Sequence, residues 1–135
     1  MYNKTLLFAS TIALVAPAMA ESKDAVTQNT QAMEARINIY SKIFNIIEDV
    51  DSKDSANDAA KKIELLIPKL NKLSEAAADL PELSESDHKK VEKVEEQLIL
   101  IHTRLARILD STAEESYATP KLKKVMIKVS QILLN

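Results

Sequence analysis

Apolar residues recur in threes and fours along most of this chain, and polar interruptions divide the pattern into separate stretches. In the first, Met33, Ile37, Tyr40, Phe44 and Ile47 step by four and three, which predicts a helix from about Ala25 to Val50 with one apolar face. Ile39, Ile43, Ile46 and Val50 widen that face, so this helix should touch two neighbours rather than one. The segment "DSKDSANDAAKKI" is the first break. Ser55 followed by Asp58 reads as a capping box, with Asp in place of Glu, and predicts a second helix starting near Ala56. Its stripe is an unbroken heptad of Ala59, Ile63, Leu66, Leu70, Leu73, Ala77 and Leu80. Pro68 falls inside this helix, opposite the stripe at about 100° per residue. It should bend the helix over the core with its solvent side convex, rather than serve as a functional hinge.

"DLPELSESD" is the second break: Pro81 ends one helix, and Ser84 or Ser86 caps the next. Val91, Val94, Leu98, Ile101, Leu105 and Ile108 then carry a third helix whose charged beginning, "HKKVEKVEEQ", is a solvated face. The pattern lapses around "DSTAEESYATP". Pro120 preceded by Thr119 suits a helix start, and Leu122, Val125, Val129 and Ile132 form the stripe of the last helix. Short connections between such helices predict an all-α fold, an antiparallel up-down bundle of three long helices plus a shorter fourth. The heptad spacing favours shallow crossing angles. The fourth helix is expected to dock on the first and third.

The chain start carries a different pattern. A head with one positive charge, Lys4, precedes an apolar run from Leu6 to Val15, and Ala18-Met19-Ala20 closes it. A spanning helix needs about 20 apolar residues, roughly twice this run. Head, short run and small-x-small end together predict a cleaved signal peptide over residues 1–20 and a bundle domain over 21–135. No Cys follows, so a lipid anchor is not expected. A mature chain starting at Glu21 would hold no further membrane span and should be a soluble periplasmic or secreted protein.

Charge and composition narrow the function classes. Loss of Lys4 from 18 basic residues against 20 acidic ones moves the net charge from −2 to −3, which suits neither nucleic acid nor a polyanion as partner. Only Tyr40, Phe44 and Tyr117 remain as aromatics, too few to stack bases. An exported chain with no Cys must hold its fold without disulfides. The chain has no Gly, where average usage would supply roughly nine. Phosphate-cradling loops, dinucleotide turns and nucleophile elbows depend on Gly and are therefore poorly supported.

Two histidines could carry chemistry. His88 follows Glu85 in a single Glu-x-x-His at a helix start beside lysines. Carboxylate-bridged di-iron bundles use two such motifs plus two inward Glu, so His88 reads as a solvated surface residue. His102, in "LILIHTRLARIL", borders the apolar stripe, and Met33 or Met126 would be needed beside it for a Met–His haem site. With the first and third helices parallel, Met33 and His102 are offset by roughly 12 Å. Met126 is nearer in level but on a neighbouring helix, and His102 reads as a partly buried boundary residue. No nucleophile–base set or paired carboxylate stands out. The chain is read as a non-enzyme, with no catalytic, cofactor or metal residues expected.

The last segment, "PKLKKVMIKVSQILLN", contains no acid, and Lys121, Lys124 and Lys128 share one helical face. A membrane-surface helix looks like this, and so does a last bundle helix; the bundle role is the expectation. Ile127 and Leu134 lie one heptad apart and off the stripe, and Leu100 in the third helix is also off-face. Clustered, such residues would form a self-association or partner surface. Leu100, Lys121, Lys124, Ile127, Lys128 and Leu134 are the candidate interaction residues.

From Ile46 to Leu70, "IIEDVDSKDSANDAAKKIELLIPKL" resembles a segment of small exported bacterial helical proteins of unassigned function, with its Ser-Ala-x-x-Ala-Ala-x-Lys core at Ser55 to Lys62. The resemblance implies export and a helical fold, and no activity. In size and signal the chain is also similar to haem-binding periplasmic bundles, although its last helix has no histidine. The expectation is a non-catalytic, exported binding protein of the periplasm or cell envelope, with a protein or envelope partner or weak self-association. A haem- or metal-binding periplasmic four-helix carrier is the alternative.

Overall fold

The computed structural model describes residues 17–134, with side chains over 25–134. The expected signal peptide lies largely outside these described residues. Among the described residues there are four helices: α1 (Pro17–Glu48), α2 (Lys53–Ala77), α3 (Glu85–Ala113) and α4 (Pro120–Leu134). No strand occurs among the described residues, and the protein is all-α as its periodicity predicts.

Local chemistry accounts for the starts of α2, α3 and α4 and for the ends of α2 and α3. α2 starts earlier than expected, because Ser52 and not Ser55 is its N-cap. The Ser52 hydroxyl accepts from the Ser55 amide at 3.1 Å, and the Ser55 hydroxyl accepts in return from the Ser52 amide at 3.0 Å. Ser55 thus plays the part that a capping box usually gives to Glu or Gln, and Asp58 has none in it. α3 is capped by Ser84, whose hydroxyl accepts from the Asp87 amide at 3.2 Å. Thr119 does the same for α4 through the Leu122 amide at 3.3 Å, with Pro120 in the first turn as expected. At the far ends, Ala78 and Glu114 cap α2 and α3 in right-handed backbone, with φ of −72° and −96°. A chain without Gly closes its helices by tightened turns, such as Asp79 N–H to Ala76 O at 3.1 Å, instead of by left-handed caps.

Direction alternates along the chain, but the lateral order is not sequential. α1 packs on α2 and α3, and α4 packs on α2 and α3, so the α1–α4 and α2–α3 pairs are the diagonals of the bundle. The expectation that α4 docks on α1 and α3 is corrected: its neighbours are α2 and α3. The link over residues 78–84 makes this feasible. Seven extended residues reach roughly 23 Å, more than the ~14 Å diagonal of a bundle with ~10 Å between neighbouring axes. Side-by-side parallel pairs result. Asn29 of α1 donates to Pro81 O, just before α3, at 3.0 Å, and further along both helices Tyr40 meets His102, so α1 and α3 rise together.

Each helix gives the core at least one side chain at 0 % exposure: Ile43, Ile63, Leu105 and Val129 in chain order. The stripes are wider than heptads. α2 buries Ala56, Ala60 and Ile67 beside the expected Ala59, Ile63 and Leu70, because it faces both α1 and α4. Its small residues let those neighbours approach closely. Leu66, Leu73, Ala77 and Leu80, the other members of the predicted stripe, are only partly buried. In α3, Leu109 and Thr112 join the buried side, and Val94, Ile101 and Ile108 sit at its margin. Pro68 is exposed between buried Ile67 and Leu70, on the solvent side as predicted.

Candidate functional site

α4 is 15 residues against 25 in α2, so it covers only part of the bundle length. Its last turn is held by α3. The His102 Nε2 lies 3.2 Å from Leu133 O, and the imidazole also meets the Tyr40 ring edge-on, with centroids 5.9 Å apart. Tyr40 is 2 % exposed, and its hydroxyl accepts long bonds of 3.4 Å from Arg36 Nε and Nη2. His102 is half-buried at this junction of α1, α3 and the end of α4. A hydrogen bond to Leu133 O uses an Nε2–H as donor, and it satisfies one of the carbonyls that a helix end leaves free. The arrangement is a structural clasp.

Neither methionine reaches His102. Met33 lines a cleft with His88 and Glu95, while Tyr40, about two turns further along α1, is level with His102. Two turns correspond to roughly 10 Å, in keeping with the offset read from the sequence. Met126 was expected nearer in level, but His102 sits beside Leu133, again about 10 Å along the axis from Met126. His88 is exposed at the start of α3. Glu82 and Glu95 border its cleft, yet among the described residues no group of three or more His, Cys, Asp or Glu is arranged to hold a metal ion.

The candidate interaction residues separate into different places. Ile127 is 57 % exposed and Leu134 86 %, on one face of α4 and away from its buried Leu122, Val125, Met126 and Val129. Leu100 is 52 % exposed on α3, two positions from buried Leu98 and hence turned outward. Lys121 and Lys124 instead border a cleft between α2 and α4. Lys128 leans on α2 as well, where its ammonium meets both carboxylate oxygens of Glu64 at 3.0 and 3.3 Å. Both partners of that pair are substantially exposed, so it adds little to stability. Its consequence is electrostatic: Glu64 has Lys128 as its partner.

Three further features lie outside the residues that the sequence pattern singles out. Leu65, 81 % exposed, and Ile99, 61 % exposed, are further outward apolar residues. Leu65 stands two positions from both Ile63 and Ile67, a spacing that could have revealed it. Because α2 and α3 are diagonal, Leu65 and Leu100 face opposite sides of the bundle and form no joint patch. The third feature is Lys61 of α2, which joins Lys121 and Lys124 around the same cleft. No linear signal points to that grouping, since it depends on α2 and α4 being neighbours.

Three clefts differ in charge balance. The one between α1 and α2 has Lys42 and Lys62 against Asp49 and Asp58. The one under the 78–84 link has Glu82 and Glu95 with His88. The α2–α4 cleft, ≈ 260 Å³ in volume, has Lys61, Lys121 and Lys124 over a floor of Ala60 and Val125, with Glu64 as its one acid. No helix of the described residues is long and apolar enough to cross a membrane.

The chain matches no protein-family model, no curated protein and no solved structure.

Proposed function

We propose that this protein is an exported, non-catalytic helical bundle that binds a protein or envelope component of the periplasm or cell surface through the outer edge of α4. The observation that carries this reading is the exposure of Ile127 and Leu134 on a helix with no acidic residue. Apolar residues turned to solvent offer surface that a partner can bury, and basic neighbours suit an acidic partner rim. The charged head and short apolar run before Glu21 support export. The resemblance of Ile46–Leu70 to small exported helical proteins agrees with that location.

The test is recovery of the chain from its native envelope with whatever accompanies it, beside an Ile127→Glu/Leu134→Glu variant. A component retained by the native protein and lost by the variant is the expected result. Identical recoveries would remove the α4 edge from the reading. A Soret band or stoichiometric metal on the purified native protein would favour the haem or metal carrier instead.

A further inference from the structure

We infer that the α2–α4 cleft is a binding site for a phosphate monoester group. It goes beyond the partner-binding edge at Ile127 and Leu134 and does not rest on it. Lys61 projects from α2, and Lys121 and Lys124 project from successive turns of α4, onto one cleft of ≈ 260 Å³. Among the described residues, none of these lysines forms a salt bridge. The acid that could have balanced them, Glu64, is engaged by Lys128 at 3.0 Å. The cleft therefore carries uncompensated positive charge, in contrast to the α1–α2 cleft, where lysines and aspartates alternate.

The chemistry of the ligand follows from charge and size. Three ammonium groups offer nine N–H donors in all, each group a compact point charge without the planar fork of Arg. A carboxylate, with a single charge, would leave most of that field unmatched. A phosphate monoester carries about −1.5 to −2 at neutral pH and three acceptor oxygens, so it can meet all three lysines at once. The volume falls just short of the ~300 Å³ at which drug-sized pockets begin, enough for the phosphate and a few adjoining atoms. Ala60 and Val125, both buried, give those atoms an apolar floor. The first turn of α4 adds the positive end of its dipole. The phosphate can belong to a soluble metabolite or to a lipid headgroup, and the chemistry at the lysines is the same.

Titration of the full-length, isotope-labelled protein with glycerol 3-phosphate, followed by amide chemical shifts, tests the site. Saturable shifts centred on Ala60, Lys61 and Lys121 to Val125 are expected, and sodium chloride at equal ionic strength should not reproduce them. Lys61→Gln/Lys124→Gln should weaken binding by about tenfold or more, the loss of two charge-assisted contacts. Lys72→Gln/Lys93→Gln, which removes the same charge from exposed positions elsewhere, should leave it unchanged. Sedimentation with vesicles containing phosphatidic acid, against neutral vesicles, distinguishes the sources. Lysine-dependent retention on the acidic vesicles assigns the site to a lipid headgroup, and saturation by the soluble phosphate alone assigns it to a metabolite. The inference is overturned if neither probe saturates, if chloride gives the same shifts, or if the cleft pair and the control pair behave alike. All four lysines changed here are exposed, so loss of the fold does not obscure the result.

Discussion

His102 on α3 donates an Nε2–H to the carbonyl of Leu133 across 3.2 Å, and thereby ties the last turn of α4 to the middle of the bundle. The bond joins the shortest helix to the pair of long parallel helices where Tyr40 backs the imidazole. A helix of 15 residues is marginal by itself in water, so its free end depends on such attachments.

His102→Ala should therefore destabilise the protein by about 1–2 kcal/mol, the bond plus a partly desolvated carbonyl. Chemical denaturation gives the global figure. Amide exchange should speed up most in the last turn of α4, and exchange raised evenly through α1 and α3 would show that the histidine acts by packing alone.

Two leucines five positions apart on α2 should behave in opposite ways. Leu70 is 1 % exposed and Leu65 is 81 % exposed. Leu70→Ala should cost about 2–5 kcal/mol through lost transfer and a residual cavity. Leu65→Ala should stay within about 0.5 kcal/mol of wild type. Equal denaturation midpoints for the two variants would mean that the buried face of α2 is misassigned.

The start of α2 separates two readings of one serine-rich segment. Ser52→Ala removes the N-cap and should cost on the order of 1 kcal/mol. Asp58→Ala lies outside the capping box and should have a much smaller effect. The reverse order in thermal unfolding would restore Ser55 as the cap.

Removal of Pro120–Asn135 strips away Leu122, Val125, Met126 and Val129, all at most 3 % exposed, and uncovers the faces of α2 and α3 against which α4 packs. The truncated chain should unfold at markedly lower denaturant and bind a hydrophobic dye. Full stability as a monomer with loss of partner or lipid binding would make α4 a tether instead of a wall of the core.

Export has its own readout. Intact mass of the protein outside the cytoplasm should correspond to a chain beginning at Glu21, and a stable product retaining Met1 to Ala20 would contradict the signal peptide.

The sequence by itself determined that the chain forms four helices, where three of them begin or end, and which side of each is buried. Those are local properties: the 3.6-residue period fixes a face, and Ser84, Thr119 and Pro120 act within one turn of where they stand. The cap of α2 lies one turn before the position the pattern predicts, because Ser52 and Ser55 bond each other and either hydroxyl can lead. The tertiary structure alone decided which helices are neighbours. An apolar stripe records that a face is covered, not by what, and the 78–84 link is long enough to cross the bundle or follow its edge. Crossing it placed α2 beside α4. That choice brought Glu64 to Lys128 and gathered Lys61, Lys121 and Lys124, about sixty positions apart in the chain, around one cleft.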